Sequence, residues 1–339
     1  MNGSTHKSEN LETNQPEILT LKNAMGSVLS ILNFGASLFS FKIKNNKGEL
    51  IDVVVGPADP EVYTTAQYRE ENKCFGGSIG RFAGRISEGQ FSIGEEKYSV
   101  YEEYEGAHLH GGKKGFQYRF WNIDSVSEGE NPQAVLSYHS EHLEEGYPGN
   151  LKVQVTYQLT EDNQVKITYR AETDRDTIVN LTNHAYFNLN GSGSVSDHFM
   201  QVNASKILEL DERNLPTGNL TKLKNHPKDH RESKLLGNRE LDDVYVLDTM
   251  ENETQVQLFS PLSGIKLKLK SNQPVVVIYS PESLPDKWQY LAQIDEKFPA
   301  VALEAQNYPD APNFRNFPSS LLKKGEVYEN EIVYSFSVK

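Results

Sequence analysis

Residues 151 to 159 read Leu-Lys-Val-Gln-Val-Thr-Tyr-Gln-Leu, apolar at every odd position and polar at every even one. A repeat of two puts Leu151, Val153, Val155, Tyr157 and Leu159 on one face of an extended strand and the polar residues on the other. Val165, Ile167 and Tyr169 resume the pattern after the turn-like Glu161-Asp162-Asn163. Ile265, Leu267 and Leu269 alternate with lysines, and Val256 and Leu258 with glutamines. Such segments suit half-buried antiparallel strands. Phe91–Ile93 and Lys97–Val100 flank Gly94-Glu95-Glu96 as a tight hairpin. The continuous apolar run from Pro274 to Tyr279, rich in β-branched residues, fits a strand buried on both faces. Helical patterning is confined to Trp288–Ile294 (two turns) and Asp59–Tyr63 (one turn). The expected fold class is therefore all-β: two large packed antiparallel sheets rather than a small closed barrel, with few short helices.

No composition shift, Gly/Ser linker or repeat interrupts the chain after residue 16. Residues 1–16 are polar and aperiodic, so a flexible tail is expected there and a single β-sandwich domain over 17–339. The 339 residues carry 47 acidic and 34 basic side chains, a formal charge of −13. That balance argues against nucleic-acid binding and against a basic membrane-docking face. An apolar fraction of 37% is ample for a core. Cys74 stands alone, which excludes an intramolecular disulfide and a thiolate metal cluster. No stretch approaches the ~20 apolar residues of a membrane-spanning helix, and the first residues lack the apolar core of a secretory signal. A soluble cytoplasmic protein is expected.

Four segments break the alternation, and such breaks are where function is sought. Phe75-Gly-Gly-Ser-Ile-Gly-Arg-Phe-Ala-Gly-Arg-Ile86 lacks the Gly-Lys-Ser/Thr of a phosphate loop. It reads as a tight backbone path that presents Arg81 and Arg85, either to a ligand or to surface ion pairs. In Ala107-His-Leu-His-Gly-Gly112 a strand would put His108 and His110 on one face, as in some metal sites. The lysines at 113 and 114 would repel a cation. The glycine pair suggests a close backbone approach, with a neighbouring histidine donating to a neutral ligand. Asn180 to Gly191 surrounds His184 with hydrogen-bonding side chains, so that histidine is either a satisfied core group or a tuned proton donor. In the fourth, Val301 and Leu303 lead into Glu304, and Pro309 and Pro312 follow. This puts Glu304 at a strand-to-loop boundary, as an ordinary carboxylate or a catalytic one. Asp242-Asp243 before Val244 is a weaker acidic pair.

Taken in order, these segments resemble the aldose 1-epimerase (galactose mutarotase) family. The resemblance rests on Gly80-Arg-Phe-Ala-Gly-Arg-Ile86, Leu109-His-Gly-Gly112 with Gly115-Phe116, Thr182-Asn-His-Ala-Tyr-Phe-Asn-Leu189, Asp243, Glu304-Ala-Gln306, Pro309-Asp-Ala311 and Gly325-Glu-Val-Tyr328. It spans residues 17 to 338. It implies a large antiparallel β-sandwich of galactose-mutarotase type that interconverts α and β anomers of free aldohexoses such as galactose and glucose, without cofactor or metal. By the same resemblance, His184 is the general acid at the ring oxygen and Glu304 the general base at the C1 hydroxyl. Arg85, His110 and Asp243 are the sugar-binding groups. The family often has Asn where this chain has Gly84, Thr or Ser where it has Ala185, and Pro before the Gly-Glu that here follows Lys324. The expected partner is a free monosaccharide, with neither nucleic acid nor membrane, and the chain a monomer or homodimer.

The chemistry fits those residue types. Anomer inversion opens the ring, rotates about C1–C2 and recloses, so one group donates a proton as another accepts. Free imidazole, with a pKa of ~6.5, holds a proton near neutrality, and free glutamate, at ~4.3, is ionised. A glycosidase would instead pair Asp243 and Glu304 across ~5–9.5 Å. A sugar sensor would dispense with the His184–Glu304 pair. A hexose-phosphate mutarotase would need cations, for which Lys113 and Lys114 are the candidates.

Overall fold

A computed structural model describes residues 15–102, 106–248, 253–295 and 297–339. The tail expected over residues 1–16 lies outside the described residues except for Gln15 and Pro16. Among the described residues, strands dominate and two large antiparallel sheets organise the chain. The larger has nine strands, in the order Asn122–Ser127, Gln133–Ser140, Leu151–Leu159, Gln164–Thr173, Val327–Val338, Ile265–Ser271, Val256–Phe259, Phe199–Val202 and Lys234–Leu235. The second has seven, in the order Pro216–Lys222, Ala204–Leu210, Leu241–Leu247, Val275–Ser280, Val301–Gln306, Tyr186–Phe187 and Val54–Val55. A four-stranded sheet, Ile18–Lys22 through Leu50–Asp52, adds a third apolar face. No helix of the described residues is long and apolar enough to cross a membrane.

The alternation read from the sequence is the burial pattern. Over Leu151–Leu159 each apolar residue is buried and each intervening polar one is more exposed. Val153, Val155 and Ile167 of the larger sheet pack in one core with Val276, Ile278 and Leu303 of the second, and with Leu29 and Phe41 of the third. Polar bridges lock the two large sheets together: Tyr334 donates to the Leu303 carbonyl at 2.9 Å and Asn330 Nδ2 to that of Ala305 at 3.1 Å.

The second sheet is buried on both faces at its centre, as the run ending at Tyr279 suggested. Its register is what matters for function. Asp242 pairs with Tyr279, and Val277 with Glu304. Odd–even alternation then sends Val276, Ile278 and Leu303 into the core and Val277, Tyr279, Glu304 and Gln306 to the opposite side. Glu304 is not at a strand end: the strand runs on through Gln306, paired there with Val275, and the prolines lie beyond it.

Two helical expectations diverge. Asp59 caps a 3₁₀ turn over Pro60–Thr64, as expected. Trp288–Ile294 forms no helix, because its backbone is taken up elsewhere: Leu291 N–H donates to the Gly56 carbonyl, and Gln293–Ile294 pairs in parallel with Ser192–Gly193. A short α-helix over Ala66–Glu71, missed by periodicity, is capped by Thr65 Oγ1, which accepts from Tyr68 N–H at 3.1 Å.

Arg81 and Arg85 part company. Arg81 is 2% exposed and donates to Ser140 Oγ, the carbonyls of Ser140 and Pro148, and that of Glu141, at 2.8–3.0 Å. It is a structural clamp between the glycine-rich loop and residues 140–148, not a surface group. Replacing it leaves buried carbonyls without donors, and each charge-assisted bond is worth roughly 1.5–3 kcal/mol. Arg81→Leu is expected to lose at least ~3 kcal/mol of stability in urea denaturation, and Arg85→Leu far less. Equal midpoints for the two variants would contradict this division of roles.

Candidate active site

The non-core face of the seven-stranded sheet forms the floor of a pocket of about 190 Å³. Asp242, Tyr279, Glu304 and Gln306 rise from the strands, while Arg85, His110, His184 and Lys73 come from the surrounding loops and short strands. Two acidic side chains thus face two basic ones. The lining mixes polar groups with apolar ones such as Leu210, Val277 and Tyr279 and carries no dominant sign, which suits a neutral ligand with both hydroxyls and C–H faces.

His184 sits between the strands Thr182–Asn183 and Tyr186–Phe187. Its backbone is fixed by Gly77 and Gly76: His184 N–H donates to the Gly77 carbonyl at 3.0 Å, and Gly76 N–H to the His184 carbonyl at 2.9 Å. The neighbouring Asn183 holds backbone rather than the ring, for its Nδ2 donates to the Gly76 carbonyl and its Oδ1 accepts from Ala185 N–H. The ring is steered by other rings instead, lying 5.0 Å from Tyr186 and 5.5 Å from His110 between centroids. Across from it, His184 Nε2 and Glu304 Oε1 are 3.4 Å apart.

Both groups are buried, and burial penalises charge. It pulls the His184 imidazole down to about 4, with the Lys73 charge acting in the same direction. It pushes the Glu304 carboxyl well above the usual range; Asp242 adds to this and Arg85 opposes it. The pocket by itself therefore favours an uncharged pair with its single proton on the carboxyl. This reverses the protonation expected of the free side chains. Glu304 Oε2 is buried and has no hydrogen-bond partner.

His110 and His108 do not share a face. The strand ends at Leu109, and His110 adopts a left-handed φ of +48° that turns its ring away from His108. His108 is a core group, its Nδ1 2.6 Å from the Tyr101 carbonyl and its Nε2 2.5 Å from the Tyr147 hydroxyl. His110 reaches the pocket, where Gly84 N–H donates to its Nδ1 at 3.2 Å. Burial holds this imidazole neutral, well below its ordinary value, and the proton then resides on Nε2 as a donor. The following glycine meets the close approach that its sequence suggested: a Cβ on Gly111 would lie 1.7 Å from the Gly80 carbonyl oxygen. Among the described residues, one group has metal-ligating geometry. Donor atoms of His110, His184 and Glu304 lie within 4.8 Å of one another, so the same three side chains could hold a divalent ion.

The sequence profile of the aldose 1-epimerase family matches residues 17–335. The chain is 31% identical to the aldose 1-epimerase of Escherichia coli K12 over 94% of each chain, and 33% identical to the galactose mutarotase of Homo sapiens over 91% of each. The chain belongs to the aldose 1-epimerase family. The crystal structure of a GalM/aldose epimerase homologue from C. elegans superposes with a TM-score of 0.86 at 29% identity, covering 96% of this chain and 99% of that one. The galactose 1-epimerase of Lactobacillus acidophilus NCFM gives 0.84 at 25% identity and 98% coverage of both. The fold is thus that of the galactose mutarotases, and the relatives are carbohydrate isomerases.

For an aldose 1-epimerase family member, four of the five residues singled out from the sequence (His184, Glu304, Arg85 and His110) line one pocket. Asp243 does not. It pairs across from Ile278 on the core side of its strand, where Lys228 Nζ donates to its Oδ1. One position earlier, Asp242 faces the pocket 3.9 Å from Arg85 Nη2. Adjacent acids in a strand point to opposite faces, and only the register tells which is which. The same flip separates Asp243 from Glu304 and removes the glycosidase pairing. Lys113 and Lys114 are exposed outside the pocket, so the cations invoked for a sugar phosphate are absent from it. Lys73, Tyr279 and Asn214 also line the pocket. No sequence pattern marked them; Gln306 was detectable as the residue two places after Glu304.

Asp242→Asn is expected to raise KM for sugar roughly 10-fold or more with little change in melting temperature. Asp243→Asn is expected to lower the melting temperature and leave KM near normal. Steady-state kinetics with thermal unfolding of both variants would check this, and the opposite pattern would restore Asp243 to the pocket.

Proposed function

We propose that the protein interconverts the α and β anomers of free aldohexoses such as galactose and glucose by general acid–base ring opening. The observation that carries this reading is the 3.4 Å approach of His184 Nε2 to Glu304 Oε1 within a pocket of about 190 Å³ that also holds Arg85, His110 and Asp242. In the reacting state the imidazole carries the proton and the carboxyl is ionised. The pocket without sugar favours the reverse distribution, so binding must tip one proton from Glu304 to His184. Two features support that transfer: the Arg85 charge favours the carboxylate, and the unpartnered Glu304 Oε2 accepts a sugar hydroxyl.

Imidazolium then gives its proton to O5 as the C1 hydroxyl gives its own to Glu304. The C1–O5 bond breaks and C1 becomes the aldehyde carbonyl. After rotation about C1–C2, the C5 hydroxyl attacks the other face. His184 recovers its proton from that hydroxyl, and Glu304 returns one to O1. No proton is gained or lost overall. His110, as a neutral Nε2–H donor, and Arg85 stabilise the oxygens that gain charge, and Asp242 accepts from sugar hydroxyls. Each positioned proton transfer is worth ~10²- to 10⁴-fold.

Polarimetry on freshly dissolved α-D-galactose and α-D-glucose is expected to show faster approach to equilibrium with the protein. His184→Ala and Glu304→Gln are each expected to cut kcat by at least ~10² with an unchanged circular dichroism spectrum; near-normal turnover in either would refute the assignment.

The pH profile of kcat/KM reports the free pair titrating as a unit. Activity needs one proton on that pair. It falls in acid when His184 takes up a second proton, near pH 4 by its lowered affinity. It falls in alkali when the raised Glu304 carboxyl loses the only one. A bell whose acid limb lies well below ~6.5 is expected. An acid limb at the ordinary imidazole value would mean that burial does not set the pair's protonation.

A further inference from the structure

Gln306 is fully buried, lines the pocket, and lies on the same face of its strand as Glu304, two residues away. Its Nε2 donates to the Asn307 carbonyl at 3.2 Å, which fixes the orientation of the amide. Its Oε1 is then an acceptor shielded from solvent and without a partner. A buried carbonyl oxygen left unpaired is unfavourable, and a ligand hydroxyl in the pocket would satisfy it.

The neighbouring backbone crowds the position from which a second amide could enter the pocket. Gly84, where the family often carries Asn, has a φ of +80°. A Cβ there would lie 3.0 Å from Pro309 Cβ and 3.3 Å from Gln306 Nε2. Glycine fits that conformation and that crowding; an asparagine tolerates the positive φ but would have to displace Pro309 or the Gln306 amide by a few tenths of an ångström. The space that an asparagine side chain in place of Gly84 would enter is already bounded by the Gln306 amide and Pro309.

We propose that Gln306 is a substrate-binding residue whose Oε1 accepts a hydrogen bond from one sugar hydroxyl other than that on C1. The assignment rests on the reading of this pocket as the sugar site. It makes Gln306 a specificity determinant, because a site built to pair a hydroxyl discriminates against the analogue that lacks it.

The test compares wild type and Gln306→Met on galactose and on its 2-deoxy, 3-deoxy, 4-deoxy and 6-deoxy analogues, reading mutarotation by polarimetry and sugar binding by calorimetry. Gln306→Met is expected to lose roughly 10-fold in kcat/KM on galactose, mainly through KM. That loss is expected to vanish on one deoxy sugar, which wild type in turn handles roughly 10-fold less well than galactose. Gln306→Glu, which keeps an accepting oxygen, is expected to retain the discrimination if the methionine variant does not fold. An equal loss on every analogue, or no loss at all, overturns the contact and leaves a packing role. Wild type that binds galactose without mutarotation defeats the catalytic reading, while the binding data still decide the role of Gln306. If wild type neither binds nor turns over galactose, both readings fall.

Discussion

Glu304 and His184 confront each other where water cannot solvate either charge, and the chemistry assigned to the pocket depends on that confrontation. Bulk solvent would leave the carboxyl ionised and the imidazole half protonated near neutrality. Burial raises the affinity of one for a proton and lowers that of the other, so the two share a single proton that the empty pocket leaves on the carboxyl. A facing pair that shares one proton can pass it across once a bound ligand shifts the balance toward the carboxylate. A reversible ring opening needs that property, because acid and base exchange roles between opening and closing.

The pairing is sustained by the parity of the seven-stranded sheet. Leu303 and Ala305 face the common core beside Ile278 and Val276, which forces Glu304 and Gln306 to the other face. A slip of one residue in this strand would exchange the pocket carboxyl for leucine and put a carboxyl among the apolar side chains. The apolar core therefore specifies the polar pocket, and the same rule decides between Asp242 and Asp243 one strand over. Core packing and active-site geometry are two faces of one register.

The loops meet a different demand, since they must bring Arg85, His110 and His184 over a floor they do not belong to. They do so by backbone contact at close range. Gly111 packs against the Gly80 carbonyl, Gly76 and Gly77 hold the His184 backbone, and Arg81 ties the glycine-rich loop to residues 140–148. The histidines and the arginine thus reach the pocket from segments whose own positions are fixed by buried hydrogen bonds, which favours a preorganised site over one assembled on binding.

From the amino-acid order alone the all-β class, the hairpin at Gly94 and the strands over 151–173 are legible, because strand periodicity is a local property that burial must respect. The glycine- and histidine-bearing interruptions, and the resemblance they carry, also picked out Arg85, His110, His184 and Glu304. What the order of residues left undecided has a common cause: it depends on contacts between distant segments. Which arginine is clamp and which lines the pocket, which of two adjacent aspartates sees the pocket, whether His108 and His110 share a face, and which member of the buried pair holds the proton all follow from strand pairing, backbone reversal and desolvation. None of these is a property of a residue or its neighbours in the chain; each exists only once the sheets have packed on their common core and the loops have come over the pocket.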